Sequence, residues 1–154
     1  MPRSTTETMV TQSVLDRLVT VDDWPQNRAQ SIRFFKDALR RDLEWLLNTR
    51  QPPIPEMADH PGARGTIVDF GLPDISSLGL TSASDHRQLR SAMEACLRSY
   101  EPRLMNPRVT LVDSDKVDRR LRFHIEALMK VNPAPEEIAF DTVLELSSGE
   151  YKVK

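Results

Sequence analysis

Tyr100-Glu101-Pro102-Arg103-Leu104 marks the point where one pattern stops and another begins. Before it, apolar residues recur every three or four positions. After it, they alternate. Pro102 has no backbone donor and a fixed φ, and it disfavours helical backbone at Glu101. The spacing therefore predicts a helix that ends at about Tyr100, followed by a corner on which Glu101 and Arg103 flank a rigid proline. Charges on a rigid corner are candidates for function. The plainer reading is a local Glu101–Arg103 ion pair that tidies a helix end, and exposed pairs of that kind contribute little. On these residues alone both readings stay open.

Upstream of the corner, Leu89, Met93, Cys96, Leu97 and Tyr100 form one helical face, and Ser82 with Asp85 three residues on has the form of a capping box. A longer helix is expected from Arg28 to Leu47, with Ile32, Phe35, Leu39, Leu43 and Leu46 as its stripe, Phe34 and Leu47 widening it, and Asn27 with Gln30 as a cap pair. Asn48 and Pro52-Pro53 close its far end. Val14, Leu15, Leu18 and Val19 suggest a short amphipathic segment docked by its apolar side. Residues 49–83 contain many Pro and Gly residues, which reads as an ordered but irregular connection, functional or hiding a short helix, with Gly71-Leu72-Pro73-Asp74 as a turn and no family motif to anchor 51–69.

Downstream the period is two. Val109 to Val112 reads as a first strand. Arg119 to Lys130 reads as a second, with Leu121, Phe123, Ile125, Ala127 and Met129 on one face and Arg120, Arg122, His124, Glu126 and Lys130 on the other. Phe140, Thr142, Leu144 and Leu146 give a third, and Ser147-Ser148-Gly149 turns into a fourth, Glu150 to Val153. Asp113, Asp115 and Asp118 read as a solvated loop. Helices first and strands last give an α+β fold, with N-terminal helices on one face of a C-terminal, mainly antiparallel sheet of three or four strands. The polar stretch 1–12 is expected to be a mobile tail, and 13–154 a single domain.

A net charge of −2 gives no field that would attract nucleic acid or an anionic membrane. Sixteen of the 21 basic residues are Arg, a side chain suited to bidentate contacts between proteins. No apolar run could span a membrane, and residues 1–8 lack the apolar core of a secretory signal, so the cytoplasm is the expected location. The single Cys96 forms no internal disulfide and lies on an apolar helix face, where it reads as a small buried hydrophobe.

Candidate chemistry is sparse. His60, His86 and His124 fall in different elements without ligand spacing, so no metal site is expected, and the scattered glycines form no phosphate loop, so no cofactor is expected. Glu101 could be nominated as the acid of a hydrolase. Arg103 beside it favours the charged carboxylate, however, and no second carboxylate stands in a rigid turn. At 6% aromatic content a carbohydrate cleft is poorly supplied, and Trp24 and Trp45 read as packing residues.

Four pieces then stand in order: Ser13-Val14-Leu15-Asp16-Arg17-Leu18, Asp42-Leu43-Glu44-Trp45-Leu46-Leu47-Asn48-Thr49-Arg50, Phe70-Gly71-Leu72-Pro73-Asp74 and Glu101-Pro102-Arg103-Leu104. In them the chain resembles the TssE family, the wedge proteins of the type VI secretion baseplate, themselves similar to a wedge protein of contractile phage tails and grouped under a lysozyme-like label. The resemblance implies a domain like the handshake domain of the sheath subunit. It implies TssF and TssG as wedge partners, initiation of TssB–TssC sheath polymerisation, and a baseplate location at the inner membrane. It further implies that Glu101, Pro102 and Arg103 touch the wedge core, and that the role is structural, with no catalytic residues. Strand addition at a sheet edge is the mechanism this suggests, with Lys152 and Lys154 as edge guards or as plain solubilising charges. Arg120 and Arg122 are either interface or solvated face. The alternative function is a lysozyme-like peptidoglycan hydrolase using Glu101.

Overall fold

The computed structural model of the chain describes residues 9–19, 24–74, 82–115 and 119–154, without the side chains of 57, 58 and 113–115. Three helices precede a four-stranded antiparallel meander. They are α1 (Val14–Val19), α2 (Arg28–Asn48) and α3 (Ala83–Tyr100). The strands are β1 (Leu104–Asp115), β2 (Arg120–Met129), β3 (Glu136–Glu145) and β4 (Glu150–Val153), in sheet order β1-β2-β3-β4. The α+β architecture is the one the patterns predicted.

Each long helix forms for reasons visible in its ends. Asn27 accepts a hydrogen bond from the Gln30 amide at 2.9 Å, and Ser82 accepts one from the Asp85 amide at 3.1 Å. The Gln30 side chain turns instead to the Gln26 amide at 2.7 Å, so that cap is not reciprocal. α3 stops at Tyr100, and Glu101 leaves helical backbone (φ −117°, ψ 80°), as a residue before proline should. Phe35, Leu39, Leu43, Leu46 and Leu47 of α2 and Leu89, Met93, Cys96 and Leu97 of α3 are buried. Against them lie Val109, Leu121, Phe123, Ile125, Phe140, Leu144, Tyr151 and Val153, the inner face of the sheet. Each such side chain contributes about 1.5–3 kcal/mol by leaving water. The Cys96 thiol is pushed up to about 12 by burial, so it is a packing residue.

Several expectations need revision. β1 begins at Leu104 and runs to Asp115, not from Val109 to Val112, and β3 starts at Glu136. Asp113 and Asp115 pair in register with Arg122 and Arg120, so they belong to the ladder and not to a loop. Asp118 lies outside the described residues. The connection after α2 hides three single turns of 3-10 helix, at Pro55–Asp59, Pro61–Ala63 and Ile67–Asp69. Leu72 makes a bridge to Arg50 where a turn was expected. Trp24 and Trp45 are 42% and 58% exposed, so neither is a core residue.

The largest revision concerns α1. Val14, Leu15, Leu18 and Val19 face solvent at 59 to 76% exposure. Docking is polar: Asp16 and Gln12 are the buried residues, and the Val10 amide donates to Ser31 Oγ at 3.1 Å. Of the stretch 1–12, residues 1–8 lie outside the described residues.

Candidate functional site

The corner that separates helix from sheet is built by three elements. Pro102 forces the chain out of α3, and the Leu104 amide closes a turn on the Glu101 carbonyl at 3.1 Å. Within that turn Glu101 folds back. Its Oε1 accepts from Arg103 Nε at 2.7 Å and from the Arg103 amide at 3.2 Å, and its Oε2 accepts from Arg103 Nη2. Arg103 Nη2 also donates to Asp42 Oδ2 at 2.8 Å, which ties the corner to the middle of α2. The guanidinium lies over the Phe35 ring at 5.7 Å.

The chain of charges continues. Asp42 Oδ1 accepts from Arg41 Nη2 at 2.7 Å, and Arg41 Nη1 pairs with Asp16 of α1 at 2.8 Å. The result is an alternating line, Glu101, Arg103, Asp42, Arg41 and Asp16, that joins the α3–β1 corner, α2 and α1. Burial acts to depress the Arg103 guanidinium, but its hydrogen bonds and charge contact with Glu101, then with Asp42, hold it above the usual arginine value. Burial likewise opposes the charge on Asp16. Hydrogen bonds from Ser13 and Arg41 outweigh it and keep this carboxyl below its usual value.

Glu101 is 4% exposed, Pro102 is exposed, and Arg103 is half-buried. Both oxygens of Glu101 are held by Arg103 inside the protein. The ion pair is therefore neither exposed nor merely local, and the carboxylate is not offered to a substrate as a hydrolytic acid must be. The sequence brought Glu101 and Arg103 together correctly. Asp42 opens one of the four quoted stretches, but the helical pattern places it on an ordinary polar face and does not mark it as the partner of Arg103.

The Phe70-Gly71-Leu72 stretch is pinned beside the corner. Gly71 has φ +106°, and a Cβ there would sit 2.5 Å from the Thr49 carbonyl oxygen, so only glycine fits. Tyr100 Oη donates to the Asp69 carbonyl at 2.8 Å, and the Phe70 and Tyr100 rings meet edge to face at 5.1 Å. The four motifs singled out in the sequence are thus neighbours or near neighbours in the fold.

The sheet has one face against the helices and one without cover among the described residues. On the outer face, His124 Nδ1 lies 2.8 Å from Asp141 Oδ1, Arg120 pairs with Glu145 at 3.6 Å, and Lys152 reaches Glu145 at 3.8 Å. The margins are unlike. The backbone of Tyr151 and Val153 points away from β3, and α2 meets it: Asn48 accepts from the Tyr151 amide at 2.8 Å and donates to its carbonyl at 2.9 Å, and Glu44 accepts from the Val153 amide at 3.0 Å. Those side chains, not Lys152 and Lys154, guard this edge. Glu44 and Asn48 stand one turn apart on the same helix face, a spacing the sequence displays without saying what it faces. On β1, Glu94 of α3 accepts from the Val109 amide at 2.8 Å.

Among the described residues no helix is long and apolar enough to cross a membrane. No curated protein matches the sequence. A chain of a solved structure, "The baseplate complex from the type VI secretion system", is similar in fold: the TM-score is 0.50 at 17% identity, over 73% of this chain and 94% of that one. The family model described as baseplate wedge protein gp25 matches residues 34–134, from α2 through the end of β2. That span holds the Asp42–Arg103–Glu101 network and the Phe70-Gly71-Leu72 bridge, and with it the chain belongs to the baseplate wedge protein gp25 family.

Proposed function

We propose that this protein is a structural wedge component of a type VI secretion baseplate, that it joins TssF and TssG, and that it initiates TssB–TssC sheath polymerisation by adding strands to its sheet. Residues 13–154 act as one unit in this role, on the cytoplasmic side of the inner membrane. The observation that carries the reading is a sheet whose outer face is uncovered and whose margin is incompletely covered among the described residues, in a chain of the wedge family. A sheet edge offers backbone donors and acceptors at fixed spacing, so a bound strand inherits its register.

The corner serves the wedge contact. Pro102 and the outer rim of Arg103 are the parts a partner can reach, while Glu101 and Asp42 hold the guanidinium from behind. Arg103→Asp is a poor test of that contact, because it would set a third carboxylate beside Glu101 and Asp42. Pro102→Ala and Arg103→Lys are better, since Lys keeps the charge but loses the forked geometry. Both are expected to fold and to retain less TssF–TssG on co-purification; undiminished retention by both removes the corner from the interface. The wider role is tested by sheath assembly. Purified TssB–TssC with the wedge should polymerise faster when this chain is present, and equal rates without it overturn the reading.

A further inference from the structure

The two margins of the sheet are not equivalent, and the difference assigns a direction to its growth. Alternation along each ladder fixes which backbone groups point outward. The Lys130 amide donates to the Arg103 carbonyl and the Leu146 amide to the Arg119 carbonyl. Even-numbered residues of β2 therefore bond β1 and odd-numbered ones bond β3. Asp141 and Lys154 exchange both of their bonds, which leaves Tyr151 and Val153 as the outward residues of β4.

That outward edge of β4 is closed. The Asn48 carboxamide gives Tyr151 one donor and one acceptor, the pair a neighbouring strand would supply, and Glu44 takes the Val153 amide. A strand arriving there would have to displace the end of α2.

Among the described residues, the β1 margin is closed only along its first half. The Leu104 amide is bound to the Glu101 carbonyl, Pro107 has no amide hydrogen, and the Val109 amide is held by Glu94. Beyond Val109 the outward positions are Leu111 and Ser114, with Val112 in the irregularity between Leu111 and Asp113. Among the described residues no side chain bonds the outward backbone of Leu111 or Val112, and Val112 is 64% exposed. Thr110–Asp115 spans about 20 Å of strand.

We propose that the incoming strand pairs with β1 along Thr110–Asp115 and nowhere else on the sheet, and that it is an extended segment of another protein carrying basic and apolar residues. The inference rests on the strand-addition reading above. The charge of the segment selects the occupant. Thr110-Leu111-Val112-Asp113-Ser114-Asp115 contains two acidic residues and no basic one. On the β2 side these two positions stand in register with Arg122 and Arg120; on the open side a second copy would bring two further acidic residues and no base, whereas Lys or Arg in a foreign strand brings the opposite charge. An apolar residue beside Val112 would cover its exposed methyls. Glu94 and Pro107 stop the added strand short of Val109 and so limit its register.

The test is hydrogen exchange on the full chain, alone and with purified TssB–TssC, alongside the binding of Val112→Pro. Protection gained by the amides of Leu111, Val112 and Ser114, with Tyr151 and Val153 unchanged, is the expected result. Val112→Pro removes one amide hydrogen in the middle of this margin, and about ten-fold weaker binding is expected with an unchanged melting temperature. Protection gained at Tyr151 and Val153 instead overturns the edge assignment while leaving strand addition standing. Binding with protection at neither margin overturns strand addition. A concentration-dependent dimer that protects Leu111–Ser114 overturns the occupant. Complete absence of TssB–TssC binding removes the proposed function and this inference together. If Val112→Pro melts early, the exchange pattern of the unaltered chain decides alone.

Discussion

On α2 the apolar stripe faces the sheet, with Leu39, Leu43 and Leu47 fully buried; on α1 the stripe faces water, with Leu15 and Leu18 at 59% and 70% exposure. The two patterns look alike in sequence. What differs is what each helix meets. α2 lies against β4 and reaches α3, and its stripe is the natural cover for the sheet. α1 has six residues, too few to be stable alone, and it reaches the body where α2 presents Arg41 and Ser31. Asp16 answers Arg41, and the helix turns its polar side inward. An amphipathic pattern says that two faces differ; the docking surface decides which one is used.

The largest effect is expected where charge is buried behind α2. Arg103→Asp would place a carboxylate against Glu101, whose side chain is 5% exposed, and Asp42. Breaking a buried pair in this way costs about 3–5 kcal/mol, read as a lower midpoint in chemical denaturation. A loss below about 1 kcal/mol would mean that the network is solvated and does not tie the α3–β1 corner to α2.

Leu43→Ala removes a fully buried side chain between α2 and the sheet. A loss of about 2–5 kcal/mol is expected for such a truncation. The same measurement on α1 sharpens the contrast. Asp16→Asn keeps the shape but gives up the charge pairing with Arg41, whose side chain is 38% exposed. Global stability should fall by no more than about 1 kcal/mol, while amides of Val14–Val19 exchange faster. The pH dependence has a definite sign. The folded Asp16 carboxyl lies below its usual value of 3.8, so its contribution is present above that value and is lost as pH falls through the lower, folded one. Asp16→Asn should remove this acid-side loosening of α1.

Much of the fold was legible because its signals are local. The stop at Pro102, the caps at Asn27 and Ser82, and the alternation through β2 and β3 need no knowledge of distant partners. What could not be read depended on partners far along the chain. Asp42 meets Arg103 across 61 positions, and Asn48 meets Tyr151 across 103. A polar residue on a helix face carries no mark of which strand it will touch. The alternation understates β1 for a related reason. Asn106, at φ +51°, and Pro107 sit in a bulge that breaks the alternation the reading relied on. The corner itself was half legible: its rigidity and its ion pair follow from sequence, while its burial follows from α2.

The smallest expected effect is the most direct challenge to the α1 orientation. Leu18 is 70% exposed, so Leu18→Ser removes little apolar area from contact with protein. Global stability should stay within about 0.5 kcal/mol of the unaltered chain. Local helix content in Val14–Val19 should fall only slightly, since Ser is a modestly poorer helix former than Leu. A loss of about 2 kcal/mol would carry the signature of a buried leucine. It would mean that α1 docks by its apolar stripe, as its pattern first suggested, with Asp16 released from Arg41. Asp16→Asn probes the opposite face of the same helix, so the two substitutions are read against each other: with Asp16 against α2, amide exchange in Val14–Val19 should rise more for Asp16→Asn than for Leu18→Ser.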